Sequence, residues 1–142
     1  MDMIIIFSLT LCVVILIPWM IRSDFQKRML KALRGEILTN IDRIQEYIRS
    51  VPEKDNGPHP SAGICSPVLT DTVFRKMRRE DFRTRVLSDK DKDELEKILE
   101  YNLKHTGDIM QNNSKNIYLE QIHILEGIQA KIEGYLKNKG SR

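Results

Sequence analysis

Aromatics, glycine, proline and cysteine are all scarce. Of 142 residues only 6% are aromatic, seven are Gly, five are Pro and two are Cys. So few aromatics and turn residues argue against a β-sandwich, a collagen-like chain or a low-complexity tail. Two cysteines cannot build a disulfide scaffold. Neither a nucleophile-elbow motif nor a phosphate-cradling Gly-rich loop is present. Cys12 falls inside an apolar run, and Cys65 has no neighbouring cation to activate its thiol. The three histidines are His59, His105 and His123. A metal site needs several ligands at short spacing, and the one candidate, His59 with Cys65, has no further ligand nearby. His105 and His123 read as polar-face or boundary residues. The carboxylates of 89–100 alternate with Lys90, Lys92 and Lys97, the pattern of a solvated helix face rather than of a catalytic acid pair. No catalytic, cofactor-binding or metal-ligating residue is therefore expected, and the chain does not read as an enzyme.

What the sequence does have is one long hydrophobic run. Nineteen uncharged residues extend from Met3 to Ile21, with Ser8 and Thr10 the only polar side chains, both able to bond back to their own helix. As a helix the run spans about 28 Å, close to a hydrocarbon core of roughly 30 Å. It reads as a transmembrane anchor (1–22). Pro18 lies near its end, where a kink disturbs few hydrogen bonds, and Trp19, Arg22, Lys27 and Arg28 are placed as interface anchors. Only Asp2 precedes the span, whereas Arg22, Lys27, Arg28, Lys31 and Arg34 follow it against Asp24 alone. Basic residues stay on the cytoplasmic side, so the expectation is a single-pass cell-membrane protein, N-terminus outside and body cytoplasmic. A cleaved signal would need a basic leading region and a small-residue cleavage site, and neither is present. A lipoprotein box at Leu9–Cys12 is weaker still, because Leu11 is not small and the apolar run continues.

The basic excess is local. The chain carries 23 basic and 20 acidic residues. Residues 22–34 hold five basic and one acidic residue, and Asp2 is the only other charge before position 35, so 35–142 is neutral. A global basic charge therefore gives no reason to expect nucleic-acid binding. The counter-ions that suit the juxtamembrane cluster are anionic headgroups.

Beyond Ser23 the apolar residues Phe25, Met29/Leu30, Leu33, Ile37, Ile41, Ile44, Ile48 and Val51 recur every three or four positions, predicting a juxtamembrane amphipathic helix over 23–51. From Asp24 to Val51 it would reach about 42 Å, with Gly35 its weak point. Pro52, Pro58, Pro60 and Pro67 with two glycines then mark 52–66 as a loop. A second helix is expected from Pro67, burying Val68/Leu69, Val73/Phe74, Met77 and Phe82. Ser88-Asp89-Lys90-Asp91 resembles a capping box with Asp for Glu, so a third helix starts at Asp89 with the stripe Leu95, Ile98/Leu99, Asn102/Leu103, Thr106 and Ile109/Met110. After the turn at 111–114, a fourth carries Ile117/Tyr118, Gln121/Ile122, Ile124/Leu125, Ile128, Ile132 and Tyr135/Leu136, leaving a tail at 138–142. No segment alternates as a strand. The expected fold is all-α: an anchor, a long juxtamembrane helix, and segments of 67–137 packing with 23–51 as a small antiparallel bundle. The stripes also suit coiled-coil seams closed by a homo-oligomer.

An N-terminal anchor, a juxtamembrane helix, a Pro-rich break, the run Pro67-Val-Leu-Thr-Asp-Thr-Val-Phe74 and the helix Leu95…Ile98-Leu99…Tyr101-Asn102 together form an arrangement similar to that of small, uncharacterised prokaryotic single-pass membrane proteins with a helical domain. The resemblance covers residues 30 to 136 and rests on spacing. It implies an architecture and carries over no activity and no functional residue.

The sharpest charged feature is Arg75, Lys76, Arg78, Arg79, Arg83 and Arg85, followed by the acidic Asp89, Asp91, Asp93, Glu94, Glu96 and Glu100. One reading has the two runs neutralise each other across the turn at 86–88. In a second, the basic run faces outward and touches lipid or an acidic partner; near an anionic surface each cation contributes about 1 kcal/mol. Nucleic acid is a poor partner, with only Phe74 and Phe82 for stacking. The leading expectation is a membrane-bound helical module for protein–protein contact or scaffolding. Its alternatives are an anionic-lipid-docking module through 75–85, or an envelope-spanning, spanin-like layout with reversed topology.

Overall fold

The stripe after Ser23 belongs to a far longer helix than its own periodicity requires. The computed structural model describes residues 2–50, 67–80, 84–106 and 114–140, and of 2–12, 18, 19, 114, 139 and 140 the backbone alone. Its helices are α1 (Asp2–Ser50), α2 (Thr72–Arg79), α3 (Asp89–Lys104) and α4 (Ser114–Gly140), with no strand among the described residues. The all-α class is therefore shown. At 49 residues α1 is about 73 Å long. It runs through Pro18 and Gly35 without interruption, so the segments expected as anchor and juxtamembrane helix form one helix rather than two. The expected loop at 52–66, Val51, Phe82 and the proposed third-helix positions Ile109 and Met110 lie outside the described residues.

Along α1 two environments follow one another. Val13 to Ile17, Met20 and Ile21 are all about half exposed or more. Consecutive helical residues point 100° apart, so the five from Val13 to Ile17 take in the whole circumference, and no side of this stretch is covered by the other described residues. From Met29 onward one face is buried: Leu30, Leu33, Ile37, Ile41, Ile44 and Tyr47. They pack against Tyr118, Ile122, Leu125, Ile128 and Ile132 of α4 in a single core. Arg34 meets Glu133 at 3.6 Å, and the Tyr47 and Tyr118 rings lie 5.1 Å apart edge-on. Those two pairings make α1 and α4 antiparallel. Phe25, expected in the stripe, is 40% exposed; the same register brings it level with residues whose side chains lie outside the described ones.

α2 starts five residues later than expected because side chains of α1 capture the backbone before it. Asn40 accepts from the Thr70 N–H at 2.8 Å and its amide donates to the Thr70 carbonyl at 2.8 Å. Arg43 donates to the Val68 carbonyl at 2.7 Å. These bonds hold 68–70 out of helical geometry, and Val68, expected in the core, is 64% exposed. A helix start leaves four backbone donors open. Asp71 makes no side-chain cap; Glu36 of α1 instead accepts from Val73 N–H at 2.8 Å and Phe74 N–H at 3.2 Å. Burial lifts the Glu36 carboxyl above its ordinary 4.5, against the pull of those N–H groups. The order 36/73, 40/70, 43/68 makes α2 antiparallel to α1.

The capping box opens α3 where expected. Ser88 Oγ accepts from Asp91 N–H, and Asp91 accepts from Ser88 N–H at 2.8 Å. Asp91 is buried, however, not solvated as its charged surroundings suggest, and Lys131 of α4 donates to it at 2.6 Å. Eleven residues on, Asn102 donates to Gln121 at 2.9 Å, so α3 and α4 are antiparallel too. Burial works to raise the Asp91 carboxyl, yet hydrogen bonds from Lys131 and Ser88 and the Lys131 charge hold it below its ordinary 3.8. α3 ends at Lys104 with His105 as its cap, short of the expected 110, and Leu103, expected in the core, is 68% exposed.

Two outcomes follow from these pins. Replacing Asn40 by Ala strands the Thr70 N–H; such losses cost about 1 to 3 kcal/mol, read as a lower urea midpoint with helical content unchanged. Asp91 contributes through its ionised form, so that stability is complete above pH 3.8 and disappears as the pH falls below it through the lowered folded-state value. The Asp91→Asn variant is expected to be less stable than the parent at pH 7, with the gap closing in acid unfolding curves below that pH.

Candidate functional site

Antiparallel neighbours α1–α2, α1–α4 and α3–α4 account for three sides of an up-down-up-down bundle. The fourth side, between α2 and α3, is not closed by helix packing, and an open groove of about 520 Å³ runs along it. One wall is α2, with Arg75, Arg78 and Arg79; the other is α3, with Glu96 and Glu100. Phe74, Leu99 and Leu103 supply its apolar surface. Phe74 is buried, Leu99 partly so, and Leu103 stands open to solvent.

α2 acquires its cationic wall because its eight residues carry four basic side chains, while Phe74 and Met77 take the side toward the core. α3 acquires its acidic wall for a related reason. Its stripe is double, with Ile98 and Asn102 in one column and Leu99 and Leu103 in the next. Ile98 and Asn102 are buried in the core, and Leu99 and Leu103 are left for the groove.

The six basic residues of 75–85 do not act as one patch. Arg75 pairs with Asp71, the residue before its own helix, and Lys76 reaches Glu80 at 4.0 Å. Arg78 alone crosses the groove, pairing with Glu96. The expected neutralisation of the basic run by the acidic one is thus limited to a single bridge among the described residues. Arg79 and Arg85 have no ion pair or hydrogen bond among the described residues, nor has Glu100 on the facing wall. Arg83 lies outside the described residues. Of the residues expected as interface anchors, Arg22 and Arg28 are exposed, Lys27 is half-buried, and the Trp19 side chain lies outside the described residues.

The antiparallel return of α2 brings its basic end back along α1. Val73 and Phe74 meet Glu36, so Arg79 lies about 8 Å nearer the α1 N-terminus, level with Lys31. The register of α4 brings Lys137 to the same end, where it holds Glu133 at 2.9 Å. That contact, then the Lys137 charge and Arg34, keep the Glu133 carboxyl below its ordinary 4.5.

His105 packs its ring on Tyr101 at 4.5 Å, and His123 is exposed; His59 and Cys65 lie outside the described residues. No group of three potential metal ligands occurs among the described residues. Glu96 and Glu100 entered the sequence reading only as members of the acidic run, and Leu99 and Leu103 only as part of the buried stripe; none was expected as a site residue. The doubled apolar stripe beside an acidic column was the available signal.

Among the described residues no helix is long and apolar enough to cross a membrane; much of the expected span, 3–21, falls on side chains outside them. No family model, no curated protein and no solved structure matches the chain.

Proposed function

We propose that the protein is a single-pass membrane-anchored interaction module, with α1 as both anchor and spine, the bundle as a cytoplasmic body, and the α2–α3 groove as its protein-contact surface. The observation that carries this reading is the change of environment along one uninterrupted helix. An apolar stretch uncovered on every side is unstable in water and at home in hydrocarbon. The same helix becomes amphipathic at Met29, and an open seam with charged walls and apolar filling matches the make-up of a partner surface.

The direct check is extraction of membranes at alkaline pH. The full chain is expected to stay in the pellet, and Val14→Asp with Ile17→Asp to release it; a parent chain that washes out contradicts the anchor. On the topology proposed, a membrane-impermeant maleimide labels Asn116→Cys, in a Cys65→Ser background, only after permeabilisation.

A second reading is favoured by the return of α2. Lys31, Arg79 and Arg28 are exposed at the anchor-proximal end of the bundle. Lys31 is ten residues past Ile21, about 15 Å along α1, close above the headgroups, where cations gain from anionic lipid. The full chain in nanodiscs is then expected to unfold at higher temperature with anionic lipid than with phosphatidylcholine alone. High salt and Arg79→Glu with Arg85→Glu should both remove that difference.

A further inference from the structure

We propose that the α2–α3 groove closes on a second copy of this chain, in a parallel homodimer whose two-fold axis runs along the helices. The inference rests on the groove being the contact surface and is independent of the membrane anchor.

A face-to-face dimer has its two-fold axis in the plane of the shared face, and the contact is self-complementary. If the axis lies along the helices, α2 of one copy comes opposite α3 of the other. If it lies across them, α2 meets α2 and α3 meets α3. The groove has a cationic wall on α2 and an anionic wall on α3. The crosswise arrangement therefore sets like charges against each other, which costs several kcal/mol, while the parallel one sets Arg against Glu twice.

The two walls already reach each other within one chain, where Arg78 pairs with Glu96 across the groove. A parallel two-fold turns the α2 wall of each copy toward the α3 wall of the other, so Arg75 and Arg79 come opposite the wall that carries Glu96 and Glu100. Glu100 and Arg79, which have no ion pair among the described residues, then face charges of opposite sign. Leu103, 68% exposed, and Leu99 then lie against the α2 wall of the other copy instead of water. The groove itself is charge-balanced, with Asp71, Glu96 and Glu100 against three arginines, which suits a self-partner better than a strongly acidic or basic one. Both N-termini leave the dimer at the same end, so two anchors can enter one membrane without strain.

The test is the mass of the full chain in detergent micelles by light scattering across a concentration series. The parent chain is expected to be dimeric. Arg75→Glu and Glu100→Arg, each alone, are expected to raise the dissociation constant about tenfold or more, since each places two like-charge pairs in the interface. Mixed in equal amounts they should dimerise again, because every α2–α3 contact in the mixed dimer is then between opposite charges. Recovery also shows that both variants are folded. A monomeric parent, variants that dimerise like the parent, or helical variants that stay monomeric when mixed would overturn the proposal. A chain that resists alkaline extraction yet stays monomeric overturns the dimer and leaves the anchored module standing.

Discussion

The buried stripe of α1 from Met29 to Tyr47 is the surface on which the other helices depend. Leu30, Leu33, Ile37 and Ile44 are almost fully enclosed, and each such side chain taken from water contributes about 1.5 to 3 kcal/mol. α4 supplies the matching stripe. A bundle with so few aromatics has little other apolar area to bury, so this antiparallel pair is the one contact it cannot lose. α2 and α3 add Phe74, Met77, Leu95 and Ile98 to the same core and are positioned on it by polar side chains.

Those polar attachments show how a short helix is kept in place. Eight residues are too few for α2 to be stable alone. Its first turn is capped by Glu36 and the segment before it is held by Asn40 and Arg43, all from α1. α3 is tied to α4 by Asp91 with Lys131 at one end and Asn102 with Gln121 at the other. Buried polar pairs of this kind fix register more than they add stability. Two buried side-chain polar atoms, Asn102 Oδ1 and Arg34 Nε, have no hydrogen-bond partner among the described residues. With α2 committed to α1 and α3 to α4, the side between them is left open, and its two walls take opposite charge.

The contrast between the ends of the bundle gives the molecule a polarity. The end near the apolar stretch of α1 gathers Arg28, Lys31, Arg79 and Lys137. The far end carries the Tyr47, Tyr101 and Tyr118 rings and the amide pair of Asn102 and Gln121. A body that is neutral by count is therefore not neutral by position, because antiparallel returns of α2 and α4 bring their basic C-terminal ends back to the same level of α1. The basic run that stands out at 75–85 consequently divides, with some cations facing the groove and others the proximal end.

By itself the sequence determined the helical class, the apolar stretch at 3–21, the capping box at Ser88 and the main stripes of α1 and α4. Each is a local matter of side-chain period or of a side chain reaching its own backbone, and such signals survive without knowledge of neighbours. The start of α2, the burial of Asp91 and the exposure of Val68 and Leu103 were decided only by tertiary structure. Asn40, Glu36 and Lys131 reach these sites across 30 to 40 residues of chain, and no local pattern encodes such a meeting. The groove belongs to the same class. The doubled stripe of Leu99 and Leu103 announced more apolar surface than one neighbour covers, but its direction and its charged walls exist only once α2 is seated on α1 and α3 on α4.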